Sequence, residues 1–237
     1  MVMIVLLFSM TWAQDPHLPL KQGLAVFSHE PHSVTTLNMA RYDVPTTSEL
    51  WRRFMDETDE TKMLVQAELL VQRTTADWPD DYRGEFLWGI APAALISAKN
   101  NGIYPSVVLA QGILESGWGS SPLAKTHNNL FGMKGKKGFR SVEVNTLESI
   151  QGKVVRQKAY FRCFDSWGES IAYHGRLLGS SHYYQFAKPV AEDAKHYLRL
   201  IGPVYASQPG YAEYVGAIID SYQLDRWDDM VLSIQDW

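Results

Sequence analysis

The sequence feature that most constrains the fold is a nearly continuous apolar stretch over residues 105–114, followed by a single carboxylate, Glu115. Pro105 suits the first position of a helix, and Gly117 and Gly119 favour its end. Because apolar side chains leave almost no polar face on this helix, we expect it to be buried. The chain of 237 residues is long enough for one sizeable core around it.

The position of Glu115 predicts an unusual acidity. In the last turn of a helix its carboxylate faces the negative end of the helix dipole, and its neighbours are apolar. Both effects disfavour the ionised form, so they raise the pKa of the carboxyl group. Such a group can donate a proton near neutral pH. Position alone is weak support for catalysis, because most glutamates near helix ends are solvated surface residues.

A short glycine-rich segment after Glu115 combines hydrogen-bonding groups with aromatic rings. This mixture suits the binding of a sugar, although asparagines in such a segment are also ordinary turn residues. The side chains concerned are Ser116, Trp118, Ser120, Ser121, His127, Asn128, Asn129, Phe131 and Met133.

Two motifs in this region resemble a known family. The run A-x-G-I-L-E-S-G-W-G-S-S-x-L-A, followed by N-N-L-F-G-M-K-G, is similar to the glucosaminidase domains of glycoside hydrolase family 73, especially the Bax-type members. The resemblance extends more loosely from Trp88 to Tyr222. It implies cleavage of the β-1,4 bond after N-acetylglucosamine in peptidoglycan, by a lysozyme-like helical domain with a small β-lobe. Glu115 is then the implied catalytic acid.

The composition changes after Gly138 and predicts a β-hairpin. Residues 139–144 and 154–164 are rich in β-branched and aromatic side chains, and we expect Glu148, Ser149 and Gly152 in the turn between them. The family resemblance implies a second acidic residue on such a hairpin, and Glu148 matches that position. A solvated hairpin tip explains Glu148 equally well, and Glu143 is a weaker competitor.

A tyrosine motif near the C-terminus completes the resemblance. Residues 204–212 are similar to the family element Y-A-T-D-P-x-Y-A, whose first tyrosine is implied to lie beside the catalytic glutamate. Tyr205 occupies that position, and Tyr211 matches the second tyrosine, for which helix packing is the better explanation. The family's Thr-Asp pair is Ser207-Gln208 here. We therefore expect Glu115, Glu148 and Tyr205 to be catalytic, and the following residues to bind substrate: Trp118, Asn128, Asn129, Phe131 and Tyr211.

The remaining periodicity predicts a mainly α fold of the α+β class. A helix is expected from Thr46 to about Thr75 with a break near Thr58, and another over 82–99 that ends at Asn100-Asn101-Gly102. Three more helices are expected, at 169–178, 189–200 and 211–222, with Pro189 at a start and Gly202 at a stop.

The N-terminal region predicts export. Residues 1–13 are apolar and have the length of a signal peptide, although they carry no Lys or Arg, so an uncleaved anchor or a misplaced start codon stays open. Residues 14–45 have the composition of a linker or arm, which leaves 46–237 as the catalytic domain. We expect an exported protein, either periplasmic or associated with the cell envelope.

Charge and ligand patterns limit the partners. The net charge is −4 and the Lys and Arg residues look scattered, so nucleic acid is not expected as a partner. The family resemblance implies that the partner is the glycan strands of peptidoglycan. Histidines at 17, 29 and 32 match no metal-ligand spacing, and glycoside hydrolysis needs no cofactor, so we assign no metal and no cofactor. The oligomeric state is open.

Several alternatives in function also remain open. Cys163 with His174 suggests a thiol hydrolase only weakly, because no orienting group is evident. A lytic transglycosylase, a non-catalytic glycan-binding envelope module and an enzyme that acts on glycoprotein glycans share the same motifs. Hydrolysis itself has inverting, retaining and acetamido-assisted routes.

Overall fold

The computed structural model of the protein describes residues 45–150 and 153–232, without the side chains at 147–150 and 153–156. Two antiparallel strands, β1 Ser141–Ile150 and β2 Lys153–Arg162, form the sheet. The α-helices in chain order are α1 Thr47–Asp56, α2 Glu60–Thr74, α3 Tyr82–Asn101, α4 Pro105–Ser116, α5 Pro122–His127, α6 Trp167–Ser180, α7 Ala194–Tyr205, α8 Tyr211–Tyr222 and α9 Asp228–Leu232. The predicted fold class, mainly α with a small β-hairpin, is confirmed.

The N-terminal helices follow their capping signals. Thr46 and Glu49 form a reciprocal capping box at the start of α1. The side chain of Asp59 accepts a hydrogen bond from Lys62 N and starts α2, so the predicted break near Thr58 is confirmed. Helix α3 ends where Gly102 adopts a left-handed conformation, as its stop signal predicted.

Helix α4 is the central helix of the described residues. It packs against α3, α6, α7, α8 and α9, and nearly all of its side chains are buried, which confirms the prediction from its composition. Its N-terminus is held by Asp228, whose carboxylate accepts hydrogen bonds from Ser106 N at 3.0 Å and Ser106 Oγ at 2.6 Å. Burial raises the pKa of Asp228 to about 7, and the two bonds from Ser106 oppose that shift.

Helices α3 and α6 approach closely through two glycines one turn apart. Gly175 faces Ser97, and Gly179 faces the backbone of Asn101. A Cβ atom at Gly179 would lie 2.6 Å from the Asn101 carbonyl oxygen, a contact that only backbone movement can relieve. The glycines therefore set the distance between the two helices.

We expect Gly179→Ala to lower the free energy of unfolding by about 1–3 kcal/mol, because the added methyl group overpacks this contact. Gly89→Ala is the matched control, since a Cβ atom at Gly89 of α3 meets nothing within 4 Å. The control is expected to gain up to about 1 kcal/mol from helix propensity. Urea denaturation measures both changes, and equal stability of the two variants would contradict the close approach.

Two predicted helix boundaries in the C-terminal half are wrong. Pro189 lies inside the short 3-10 helix Gln185–Val190, and α7 begins later because the side chain of Asp193 accepts a hydrogen bond from His196 N. Gly202 lies within α7, which continues to Tyr205. A Cβ atom at Gly202 would lie 3.6 Å from the Cβ atom of Ala212 in α8, an ordinary van der Waals distance, so neither a helix stop nor a steric clash requires this glycine.

The hairpin is confirmed, but its turn is shorter than predicted. Pairing runs from Ser141 opposite Arg162 to Ile150 opposite Lys153, so residues 151–152, which lie outside the described residues, join the strands. Glu148 and Ser149 therefore belong to strand β1 and not to the turn. A two-residue connection allows the ladder to continue up to the turn, which explains the difference.

The predicted leader at 1–13 and arm at 14–45 lie, apart from Pro45, outside the described residues. In the described ranges, no helix combines the length and the apolar character needed to cross a membrane. Cys163 follows β2 directly and is half-buried, whereas the sequence predicted it in mid-strand.

Candidate active site

Glu115 lies in the last turn of α4, where Gly117 ends the helix in a left-handed conformation. Glu115 is half-buried, and the protein packed against its carboxyl group removes much of the water from it. Desolvation by this burial raises the pKa of Glu115 to about 7, from an ordinary value of 4.5. The group can therefore hold or release a proton near neutral pH.

The turn after Glu115 is fixed by Ser116, which is buried. Its hydroxyl donates to the Gly112 carbonyl at 2.6 Å and accepts from Gly119 N at 2.7 Å. Gly119 has a φ of +71°, and a Cβ atom there would lie 2.7 Å from the ring of Trp167. The glycine is therefore required both by its backbone conformation and by its close contact.

A chain of hydrogen bonds connects Glu115 to two other buried side chains. The Tyr211 hydroxyl donates to Glu115 Oε1 at 2.9 Å, and Gln111 Nε2 donates to the Tyr211 oxygen at 3.0 Å. Because the amide nitrogen of Gln111 can only donate, the single phenolic proton points to Glu115. Glu115 Oε1 is thus an acceptor. Because the carbonyl oxygen is the stronger acceptor of a protonated carboxyl group, we place the acidic proton on Oε2. The bond from Tyr211 opposes the raised pKa of Glu115.

Gln111 was missed in the sequence analysis. A signal for it existed, because Gln111 lies one helical turn before Glu115 and is a rare polar side chain in an apolar helix. It is fully buried, and its Oε1 atom has no hydrogen-bond partner among the described residues. Burial of the amide oxygen without a hydrogen bond costs free energy. Packing alone therefore does not explain a glutamine at this position in contact with Tyr211.

The two tyrosines of the C-terminal motif have different surroundings, and a catalytic role of Tyr205 stays a prediction. Tyr211, for which packing was the preferred explanation, makes the hydrogen bond to Glu115. Tyr205 is fully buried and stacks on the Tyr211 ring, with centroids 5.4 Å apart and planes 25° apart. The Tyr205 hydroxyl has no hydrogen-bond partner among the described residues. Burial and the nearby Glu115 raise the pKa of both phenols far above the ordinary value.

The two adjacent asparagines make hydrogen bonds that hold the loop after α5. Asn128 ends α5 in a left-handed conformation, and its Nδ2 donates to the carbonyls of Phe164 and Asp165. Asn129 is buried and bonds to both backbone groups of Met133, as well as to the Arg162 carbonyl. These bonds explain both side chains without a ligand, so substrate binding by them stays a prediction.

Phe131 and His174 form a buried stacked pair, and the Phe131 ring lies next to Gly112 of α4. The rings are parallel within 6° with centroids 3.9 Å apart, and Phe131 is 1% exposed. Burial lowers the pKa of His174 to about 3, so the imidazole is neutral. A ring enclosed in this way presents no open face, which disfavours the predicted sugar contact of Phe131.

Trp118, like Asn128, is a predicted sugar-binding residue that is only half-buried. It has a φ of +60°, which is rare for a bulky side chain, and follows Glu115 in the turn. Its ring meets the rings of Tyr82, Phe86 and Tyr222 edge to face, and the shortest centroid distance is 4.9 Å, to Tyr222. Tyr82 and Tyr222 were not predicted, since they come from distant helices that only the fold brings together.

Of the two acidic candidates on the hairpin, the structure describes the side chain of Glu143 but only the backbone of Glu148. Glu143 is held by Lys158 at 2.8 Å and by the Tyr160 hydroxyl at 2.8 Å, and the hydrogen bond from Lys158 lowers its pKa. Glu143 is therefore an ionised partner in a surface ion pair. The backbone of Glu148 pairs with Val155, and its side chain lies outside the described residues.

Cys163 has a different histidine neighbour from the one considered in the sequence analysis. Its Sγ lies 3.5 Å from His127 Nδ1, whereas His174 is stacked on Phe131. Among the described residues, no group of three or more His, Cys, Asp and Glu side chains could hold a metal ion.

Comparison with known proteins decides the family. Residues 91–224 match the glucosaminidase family described as mannosyl-glycoprotein endo-beta-N-acetylglucosaminidase, and this range is more than half of the chain. The chain belongs to this glucosaminidase family. The matched range begins within α3 and contains Glu115, Glu148, Tyr205 and Tyr211.

Two similar proteins carry the names of enzymes that cleave amino-sugar chains. The exo-glucosaminidase LytG of Bacillus subtilis is 35% identical over 162 residues, which cover 65% of this chain and 57% of LytG. A probable N-acetylmuramidase of Lactococcus lactis is 36% identical over 172 residues, which cover 68% of this chain and 39% of that protein. The chain thus corresponds to less than two thirds of either relative.

The fold of the glucosaminidase family is also found in solved structures. The catalytic domain of the autolysin Auto from Listeria monocytogenes superposes with a TM-score of 0.58 and is 30% identical. The superposition covers 73% of this chain and 99% of that domain. The similarity therefore extends over a whole catalytic domain.

Proposed function

We propose that this protein hydrolyses the β-1,4 bond after N-acetylglucosamine in peptidoglycan, with Glu115 as the general acid. The observation that carries the proposal is a carboxyl group with a pKa raised to about 7 and a hydrogen-bond donor fixed on one oxygen. Membership of the glucosaminidase family supports the bond type, and the names of its relatives support the wall as substrate.

In the first step, Glu115 gives its proton to the glycosidic oxygen. The proton leaves from Oε2, and the departing sugar takes it while positive charge develops at the N-acetylglucosamine carbon. As Glu115 becomes a carboxylate, the hydrogen bond from the Tyr211 hydroxyl strengthens, because it now points at a full negative charge. Gln111 keeps that hydroxyl oriented.

In the second step, we propose that Glu148 activates the attacking water or stabilises the positive charge. A separation of about 6.5–9.5 Å between the two carboxyl groups corresponds to inversion, and about 5–5.5 Å corresponds to a covalent retaining route. Assistance from the acetamido oxygen of the substrate needs no second carboxylate. The anomeric form of the first product, measured by NMR, separates inversion from the other two routes.

Export of the protein is part of the proposal. Relatives include the autolysin of Enterococcus faecalis and the peptidoglycan hydrolase FlgJ of Vibrio parahaemolyticus, and the second name states a substrate in the cell envelope. An enzyme with this substrate has to reach the envelope. We therefore propose that residues 1–13 direct export, that 14–45 tether the domain and that 46–237 form the catalytic unit.

Cleavage after N-acetylmuramic acid is a second candidate, favoured by the name of the Lactococcus relatives. The identity of the new reducing end distinguishes the candidates. Purified peptidoglycan is digested with the protein, reduced with borohydride and analysed by mass spectrometry. Reduced N-acetylglucosamine ends support the proposal, reduced muramic ends support the second candidate, and anhydro-muramic ends identify a lytic transglycosylase. Binding to peptidoglycan without any new ends would indicate a non-catalytic module.

We expect Tyr211→Phe to shift the basic limb of the kcat/KM profile. The protonated form of Glu115 is the active one, so the rate of the wild type falls above about pH 7. Without the Tyr211 bond, desolvation acts unopposed and raises the pKa of Glu115 further, which moves the limb upward by up to about one pH unit. The rate below the limb falls about tenfold, because the developing carboxylate loses a donor.

Tyr205→Phe is the matched control for Tyr211→Phe. It removes a buried hydroxyl without a described partner and keeps the stacked ring. Its pH profile is expected to overlay that of the wild type. If the basic limb of the pH profile shifted in Tyr205→Phe and not in Tyr211→Phe, Tyr205 would have the role proposed here for Tyr211.

A further inference from the structure

A basic surface pocket lies at the base of the hairpin, outside the group around Glu115. It has a volume of about 260 Å³ and is lined by Gly135, Lys136, Phe139, Arg140 and Arg162. We call it the hairpin-base pocket. It shares no residue with the group formed by Glu115, Tyr211 and Gln111, so it is a second surface feature of the molecule.

The pocket gathers positive charge in a chain whose net charge is −4. Residues 134–140, K-G-K-K-G-F-R, contain no acidic side chain, and the fold adds Arg162 from the end of β2. The interpretation of Lys and Arg as scattered is therefore wrong for this region. Concentrated cations on an acidic protein attract anions locally.

The three cations of the pocket differ in their partners among the described residues. Arg140 forms an ion pair with Asp165 at 2.6 Å and approaches Glu169 at 3.5 Å. Lys136 and Arg162 make no ion pair with any carboxylate whose side chain the structure describes. Arg162 instead lies 4.4 Å from the centre of the Tyr173 ring, a contact that neutralises none of its charge.

We propose that the hairpin-base pocket binds a carboxylate of the peptide stems attached to the glycan strand. This inference rests on the proposed wall substrate. A guanidinium and an ammonium group on one small pocket match a carboxylate. Phe139, which is 70% exposed, adds an apolar wall suited to the small methyl side chains of such peptides. The glycan itself carries few charged groups, so the cations select strands that bear peptides.

The test compares native sacculi with sacculi whose carboxylates have been converted to amides by carbodiimide and ammonia. This treatment keeps glycan, peptides and any phosphate groups. Co-sedimentation of the inactive Glu115→Gln protein measures binding. The native sacculi are expected to bind about tenfold more tightly than the amidated ones, because each charge-assisted hydrogen bond contributes substantially.

The double variant Lys136→Gln with Arg162→Gln, made in the same Glu115→Gln background, is expected to bind both materials with the weaker affinity. Arg52→Gln with Lys62→Gln is the matched control, since it removes the same charge from exposed positions on α1 and α2. The control is expected to keep the tenfold preference. Thermal unfolding of each variant checks that the fold is unchanged.

Each alternative outcome overturns the inference in a recognisable way. Equal binding of native and amidated sacculi by the unaltered pocket would show that carboxylates are not recognised. If the pocket variant still preferred native sacculi, the carboxylates would be recognised at another place on the protein. If the variant lost the same affinity for native and amidated sacculi, the pocket would bind glycan or phosphate groups. Failure of the proposed function is a separate result, because it appears as absent reducing ends with the active protein on native sacculi.

Discussion

Glu115→Gln is expected to lower the rate of peptidoglycan hydrolysis by about 10²–10⁴-fold, the usual contribution of a general acid. Glutamine keeps the shape of the side chain and the bond from Tyr211, but it has no acidic proton on the position of Oε2. The release of new reducing ends over time measures the loss. At pH 8 the variant is expected to be at least as stable as the wild type, because it removes a charge that desolvation disfavours.

Glu143→Gln is the control for this prediction. It removes a carboxylate from the same general region of sequence, but from a surface ion pair with Lys158. Such exposed pairs contribute at most about 1 kcal/mol, so neither rate nor stability changes much. A Glu115→Gln protein that is folded and still within tenfold of the wild-type rate would remove Glu115 from the mechanism.

Asp228→Ala is expected to lower the free energy of unfolding by about 2–4 kcal/mol. The change leaves the Ser106 amide and hydroxyl, both buried at the start of α4, without their acceptor. Asp228→Asn is the matched variant, since its oxygen can accept from the amide and its nitrogen can donate to the hydroxyl. Guanidinium denaturation at pH 5 should find the asparagine variant within about 1 kcal/mol of the wild type.

The carboxyl group of Asp228 also makes the stability of the protein depend on pH. The pKa of Asp228 is about 7 in the folded protein against an ordinary value of 3.8, so the folded state binds more protons between these values. Stability therefore falls as the pH rises through that window, and Glu115 acts in the same direction from 4.5 to about 7. Asp228→Asn should flatten this fall. An unchanged slope would show that Asp228 titrates equally in the folded and unfolded chain.

The features that could be predicted from the sequence depend on residues that are close together in the chain. The helix start at Thr46, the helix stop at Gly102 and the burial of α4 each depend on residues within a few positions, and all three predictions are confirmed. Pro189 shows the limit of such signals, because an aspartate cap at Asp193 outweighs a proline that merely permits a helix start.

The site itself depends on contacts that join distant parts of the chain. Gln111 and Tyr211 are a hundred residues apart, and no local pattern indicates which of the two tyrosines reaches Glu115. The motif therefore indicated Glu115 as the candidate acid, whereas the choice of the tyrosine that contacts it depends on the packing of α8 on α4. The hairpin-base pocket was missed for the same reason, since Arg162 joins the lysines only through strand pairing.

The position of Cys163 provides a natural site for a spectroscopic label. It is the only cysteine in the 237-residue sequence, it is half-buried, and its backbone amide donates to the carbonyl of Arg140. A thiol-reactive fluorophore would thus attach at one place, beside the hairpin-base pocket, without any engineered residue. We therefore expect the emission of that fluorophore to change when a ligand occupies the pocket.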